Sequence, residues 1–250
     1  MALLWSLTRD GVHYEVRGAG RTRRLYTDGV FHSQYHPQRP VTGGVWDLLF
    51  LPVFMLPDPR RARCLVLGVG GGAVLRLLAR HAGTPALTGV ELDPVHLQVA
   101  RRFFGVEAAR LVRADARDYV RTARPGRWDL VVDDLFAGHA GDPVRSVRAD
   151  AGWCRALARL LGPEGVLVMN FGSEAELHAC GCIQAPALQR RFPSAFRLTL
   201  PGYENAVGVF CRRSLTPRRL RARLAAVPSL RLGRRGGLHY RIRTLWQAQV

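Results

Sequence analysis

The chain has 250 residues, 48% of them hydrophobic, enough for the core of one globular domain with a small appendage. No apolar run approaches the ~20 residues that span a bilayer, and the opening MALLWSLTRDGVHYEV lacks the basic and long apolar regions of a secretory leader, so a soluble, cytoplasmic protein without membrane contact is expected. The formal charge is +18 and all 37 basic residues are arginine, which fits either polyanion binding or a compositional bias of the source, and speaks to solubility rather than to fold.

Residues 12–36 read as short strands. VHYEVR alternates, GAG turns, and Asp28-Gly29 is a hairpin dipeptide between extended segments, so 1–42 is expected to be a small β-rich appendage. HPQRPV (37–42) is a Pro-broken connection, and VWDLLFLPVFML reads as an apolar helix with an internal proline. Strands at 62–69, 86–92, 109–115, 128–136 and 166–171 then alternate with helices at 72–81, 94–105, 116–123 and 147–161. A broken helix, AELHACGCIQAPALQRRF, follows. Within it His178, Cys180 and Cys182 have no second Cys/His pair at zinc spacing, and no metal is expected. The five cysteines, odd in number and irregularly spaced, do not form a disulfide framework. FRLTLPG and NAVGVFCR read as a closing antiparallel pair. The strict alternation predicts an α/β, doubly wound, Rossmann-like sheet over 43–215. The basic tail, 216–250, reads as one helix (TPRRLRARLAAV) followed by irregular chain.

The candidate site begins at CLVLGVGGGAVLR. Gly68, Gly70 and Gly72 follow a buried strand and open a helix, where glycine allows close backbone approach and unpaired N–H groups attract a ligand. Any βα corner can use glycine, so the turn alone says little. Glu91, about 20 residues on at the end of the next strand, is where an acid binds ribose hydroxyls. Asp115, with Ala116 beside it, ends the third strand, placed to meet an adenine amino group; Asp115 also suits the N-cap of the helix over 116–123. Asp133 and Asp134 end the fourth strand, and Asp133 fits either the crevice or a strand-end cap. A crevice lined by carboxylates suits a nucleoside with a cationic sulfonium better than a dinucleotide with its pyrophosphate.

The run CLVLGVGGGAVLRLL…GVELDPVHLQVARRFF…RADARDYV…WDLVVDDLF…LGPEGVLVMN resembles the class I S-adenosylmethionine-dependent methyltransferase fold. With YEVRGAGRTRRLYTDGVFHSQ ahead of it, the chain over about 12–212 resembles, more narrowly, the spermidine synthase family, or polyamine aminopropyltransferases. The resemblance implies that Gly68, Gly70 and Gly72 form the nucleoside turn, Glu91 binds the ribose, and Asp115 and Ala116 lie at the adenine. It implies that Asp134 holds and deprotonates an attacking amine, that the co-substrate is S-adenosylmethionine or its decarboxylated form, and that the protein is a homodimer.

The chain departs from the family at several places. Gly71 stands where the family turn has an Asp that meets the aminopropyl ammonium, and Ala137 stands where a second Asp follows the catalytic one. On the substrate side, His32 aligns with a nucleoside-contacting Gln, with Gln34 two residues later, and Trp46-Asp47-Leu48 stands at the start of the gate helix. A diamine site needs several carboxylates to offset desolvation, so these losses argue against putrescine and relax the preference for the decarboxylated nucleotide. The expected function is transfer of an aminopropyl or methyl group to a small-molecule nucleophile, such as an amine, near Asp134. Two alternatives stand beside it. A nucleic-acid methyltransferase suits the charge, but Asp133-Asp134-Leu-Phe136 lacks the Pro-Pro-aromatic and Cys signatures of base methylation. A non-catalytic nucleoside-binding protein suits the missing acids.

Overall fold

The computed structural model describes residues 1–139, 142–230 and 237–248; part of the basic tail (231–236 and 249–250) lies outside the described residues. The chain opens with four antiparallel strands in sequential order, β1 (Ala2–Arg9), β2 (Val12–Ala19), β3 (Thr22–Thr27) and β4 (Val30–Tyr35). Asp10-Gly11 and Asp28-Gly29 make the outer turns with positive φ at both residues (52° and 79°, 47° and 79°), the conformation that matches the twist of a tight hairpin. β1 is an addition to the strands read from sequence.

The apolar segment after the Pro-broken connection forms α1 (Trp46–Phe50) and then a tight 3-10 turn over Leu51–Met55, entered at Pro52. The alternating region follows as β5 (Arg63–Leu67), α2 (Ala73–Leu77), β6 (Ala86–Glu91), α3 (Pro94–Phe104), β7 (Ala109–Arg113), α4 (Ala116–Thr122), β8 (Trp128–Asp133), a short hairpin of β9 (Phe136–His139) and β10 (Asp142–Arg145), α5 (Ala151–Leu160) and β11 (Leu161–Phe171). The broken helix is three short pieces, α6 (Glu174–Ala179), α7 (Gly181–Gln184) and α8 (Pro186–Gln189). β12 (Ser194–Thr199), β13 (Ala206–Cys211), α9 (Pro217–Ala225) and β14 (Arg241–Gln247) complete the chain. β14, where the sequence reading expects irregular chain, pairs antiparallel with β12.

The large sheet runs β14-β12-β13-β11-β8-β5-β6-β7. β11, β8, β5, β6 and β7 are parallel, and β13, β12 and β14 extend them antiparallel. Both faces are covered, which is why RCLVL is apolar without alternation. Cys64 and Val66 face one buried layer, with α3, α9 and the N-terminal sheet; Leu65 and Leu67 face the other, with α5 and α6–α8. Strand order reverses between β5 and β8, so their carboxyl ends open a crevice at the point where such sheets bind ligands. The N-terminal sheet closes on that crevice through α3: Tyr14 Oη donates to Asp93 (2.7 Å) and Thr27 Oγ1 meets His96 Nε2 (2.8 Å). Among the described residues no helix is long and apolar enough to cross a membrane.

Candidate active site

The turn after β5 is forced by contact. Gly68 has φ 83°, its N–H donates to Val90 O (2.9 Å), and a Cβ there would lie 2.2 Å from the carbonyl oxygen of Asp134. Any side chain at 68 would therefore push apart the two strand ends that frame the crevice. Gly70 and Gly72 also take positive φ within the same turn, and Gly72 leads into α2.

Glu91 ends β6 against this turn. Its Oε2 accepts from Val69 N (2.9 Å) and Gly70 N (3.0 Å), and its Oε1 from Asp93 N (3.0 Å). Burial alone would raise its pKa; the neighbouring His96 ring and the Asp93 and Gly70 N–H groups outweigh that and hold it at about 2. Glu91 is thus ionised and fixed, with one acceptor position left on a carboxylate that offers about four.

The other predicted residues divide. Asp115 caps α4, its Oδ1 accepting from Arg117 N (2.7 Å), and Ala116 is buried behind it. Asp133 is wholly buried; its Oδ2 accepts from Arg145 Nη2 (2.8 Å) and Trp153 Nε1 (2.9 Å). Asp134 is partly exposed at the crevice, and its Oδ1 accepts from Asn170 Nδ2 (2.8 Å). Desolvation, against the pull of that hydrogen bond and with Asp133 nearby, raises its pKa to about 6. His32, on β4, reaches the turn: its carbonyl oxygen lies 3.0 Å from where a Gly70 Cβ would stand, and its ring centre is 5.0 Å from that of His96. Burial, and then His96, lower His32 to about 4, so it is neutral at physiological pH. Gln34 and Asp47 face elsewhere. Gln34 accepts from Arg24 Nε (2.7 Å) and donates to Thr42 O (2.6 Å). Asp47 is buried, accepting from Thr42 N, Thr42 Oγ1 and Gly43 N at 2.7–2.8 Å. Both brace the connection between the two sheets.

The departures from the family also have a physical basis. A Cβ on Gly71 would sit 2.7 Å from Ser33 Cβ and 2.9 Å from Phe104 Cε1, so β4 and α3 leave no room for a side chain there. Ser33 Oγ, buried against that glycine, has no hydrogen-bond partner. Ala137 is exposed on β9. Arg145, Asn170, Ser33 and His96 also stand around the candidate site, and the sequence reading singles out none of them. Asn170 alone carried a local signal, a polar residue ending the buried run VLVMNF. Away from the crevice, His178 pairs with Glu174 (3.5 Å), Cys154, Cys180 and Cys182 are buried free thiols, and no group of three metal-ligating side chains is present among the described residues.

With this geometry in place, comparison with known proteins is informative. The family model described as "Methyltransferase domain" matches residues 65–169. A polyamine aminopropyltransferase of Vibrio vulnificus (strain CMCP6) is 31% identical over 129 residues, which are 50% of this chain and 42% of that protein. Putrescine N-methyltransferase 1 of Nicotiana tabacum is 28% identical over 129 residues, 48% of this chain and 32% of that one. The chain thus spans less than half the length of these relatives. The crystal structure of a probable spermidine synthase from Corynebacterium glutamicum ATCC 13032 superimposes with a TM-score of 0.73 at 17% identity, over 91% of this chain and 88% of that one. These likenesses give the chain the class I methyltransferase fold, with an antiparallel sheet ahead of it, and make about half of its length similar to polyamine aminopropyltransferases and putrescine N-methyltransferases.

Proposed function

We propose that this chain transfers a methyl group from S-adenosylmethionine to a small-molecule nucleophile, an amine, held at Asp134. The observation that carries the reading is the sealed position of Gly71, where Ser33 and Phe104 exclude any side chain. The acid that would favour an aminopropyl ammonium has no place to stand, and nothing in the turn opposes the carboxylate of ordinary S-adenosylmethionine. Gly68, Gly70, Gly72 and Glu91 fit a nucleoside: a turn that packs this closely on glycine leaves its main chain without side chains at the crevice, and Glu91 retains an acceptor position for a ribose hydroxyl. Asp115 and Ala116 are assigned to the adenine side, His32 to the wall above the turn, and Asp133 to holding the strand end.

S-adenosylmethionine, when bound, supplies an electrophilic carbon on a cationic sulfur. Asp134 orients the nucleophile and takes its proton while the lone pair bonds to that carbon and the carbon–sulfur electrons return to sulfur. A carboxylate with a pKa near 6 is ionised at neutral pH yet basic enough for this work. Aminopropyl transfer from the decarboxylated nucleoside is the second reading, favoured by the name of the Vibrio relative.

Calorimetric titration with S-adenosylmethionine and with its decarboxylated form separates the two. Tighter binding of the first supports methyl transfer, tighter binding of the second supports aminopropyl transfer, and binding of neither overturns both. Asp134→Asn is expected to lower turnover about 10²–10⁴-fold while keeping nucleoside affinity. The wild-type rate should climb with pH through about 6, and that limb should vanish in the variant.

A further inference from the structure

Beside Asp134 the crevice holds a buried cation. The Arg145 side chain is 7% exposed. Its Nη2 donates to Asp133 (2.8 Å) and its Nη1 to the carbonyl of Asn170, the residue whose amide donates to Asp134. One residue therefore separates the guanidinium from the proposed base. The guanidinium carbon lies 5.2 Å from the Phe171 ring centre and 5.8 Å from that of Phe136, so its surroundings are partly apolar. Arg145 Nε is buried with no hydrogen-bond partner, a costly state for a donor on a charged group. Of the five N–H groups of a guanidinium, the two bonds to Asp133 and Asn170 leave three.

The charges around the acceptor position are those of a mixed site. Asp133 is consumed in pairing with Arg145, position 71 admits no side chain, and position 137 is a methyl group. A diamine would meet one carboxylate that is not already paired, Asp134, and its second ammonium would find no further free acid beside the Arg145–Asp133 pair. A carboxylate in the same place gains charge-assisted hydrogen bonds from a planar donor shaped for it.

Building on the proposed transfer at Asp134, we infer that Arg145 is a specificity residue that recognises a carboxylate. That carboxylate belongs to the acceptor, making it an amine-carboxylate zwitterion rather than a diamine, or to the methionine portion of the donor; the chemistry is shared and the two sources can be told apart.

The first arm uses protein saturated with 5′-methylthioadenosine, which has no carboxylate, titrated with 4-aminobutyrate and with putrescine. These share a four-carbon chain and differ at one end. The second arm compares S-adenosylhomocysteine with its decarboxylated analogue. Both arms are repeated in the double variant Asp133→Asn/Arg145→Gln, which leaves no unpaired buried charge; retained 5′-methylthioadenosine affinity shows that it is folded. The expected result is at least a tenfold preference for 4-aminobutyrate over putrescine, falling below twofold in the double variant. The same loss confined to the second arm supports carboxylate recognition and assigns it to the donor. No preference for the carboxylate partner in either arm, or a preference untouched by the double variant, overturns the inference. Failure of wild-type protein to bind either nucleoside overturns the proposed function itself, and the inference with it.

Discussion

The two halves of the crevice are built from different materials. On the β5–β6 side the parts are main chain: glycines without room for a Cβ, and a glutamate held by three backbone N–H groups. On the β8–β11 side the parts are mostly side chains: Asp133 takes Arg145 and Trp153, Arg145 reaches the Asn170 carbonyl, and the Asn170 amide meets the partly exposed Asp134. Backbone parts tolerate little substitution but keep the same chemistry, whereas a side-chain network changes its chemistry with each exchange. The difference explains how a chain can keep a glycine turn that resembles the aminopropyltransferase pattern while the side-chain half departs from it.

The contrast can be broken most sharply on the side-chain half. Arg145→Met leaves Asp133 charged and buried without its cation, and is expected to cost about 3–5 kcal/mol in urea unfolding. Adding Asp133→Asn should restore most of that; a double variant no more stable than the single one would show that the pair is not the brace. On the backbone half, Gly68→Ala combines a positive φ with a 2.2 Å contact. It is expected to cost about 3 kcal/mol and to abolish nucleoside binding.

Glu91 gives a smaller effect with a distinctive pH signature. Its folded pKa lies below its ordinary value of 4.5, so its stabilisation is present above about pH 4.5 and fades as pH falls through about 2. Glu91→Gln should lower stability on the order of 2 kcal/mol at neutral pH and flatten the acid limb of a thermal-melt series. The smallest effect is at Asp115. Asp115→Ala removes one helix cap and should cost about 1 kcal/mol; a simultaneous loss of nucleoside affinity would give this residue the adenine role as well, and unchanged affinity would leave it a cap.

The fold was legible wherever a strand or helix kept its period and carried its own punctuation. Asp93, Asp150 and Thr216 each cap the helix that follows them, and Gly105 ends α3 in the left-handed conformation. Four strands are not read from the sequence: the short hairpin pair β9 and β10, and the two sheet-edge strands β1 and β14, which both have an irregular register, between Leu3 and Trp5 and opposite Ala195/Phe196. An extra residue inverts the alternation that identifies a strand. In the site, Gly68, Glu91 and Asp134 stand at or just past strand ends, and Gly72 at a helix start, set by that same local pattern. Arg145 was illegible because its partner Asp133 lies across the β9–β10 hairpin, and nothing in DPVRS marks its arginine among 37 as one with a buried side chain. Gln34 and Asp47 were placed by alignment of types, while their partners Thr42 and Gly43 lie in a connection without periodicity.

The two outer strands of the large sheet give the excess of arginine a further meaning. β7 and β14 present open edges, rows of main-chain donors and acceptors that invite another strand to pair. Each carries two exposed arginines, Arg110 and Arg113 on one and Arg241 and Arg243 on the other. Two copies meeting edge to edge would bring these cations together before a single hydrogen bond could form. The arginines thus act as wardens against aggregation, and a weakly charged variant of either edge should lose colloidal stability before it loses its fold.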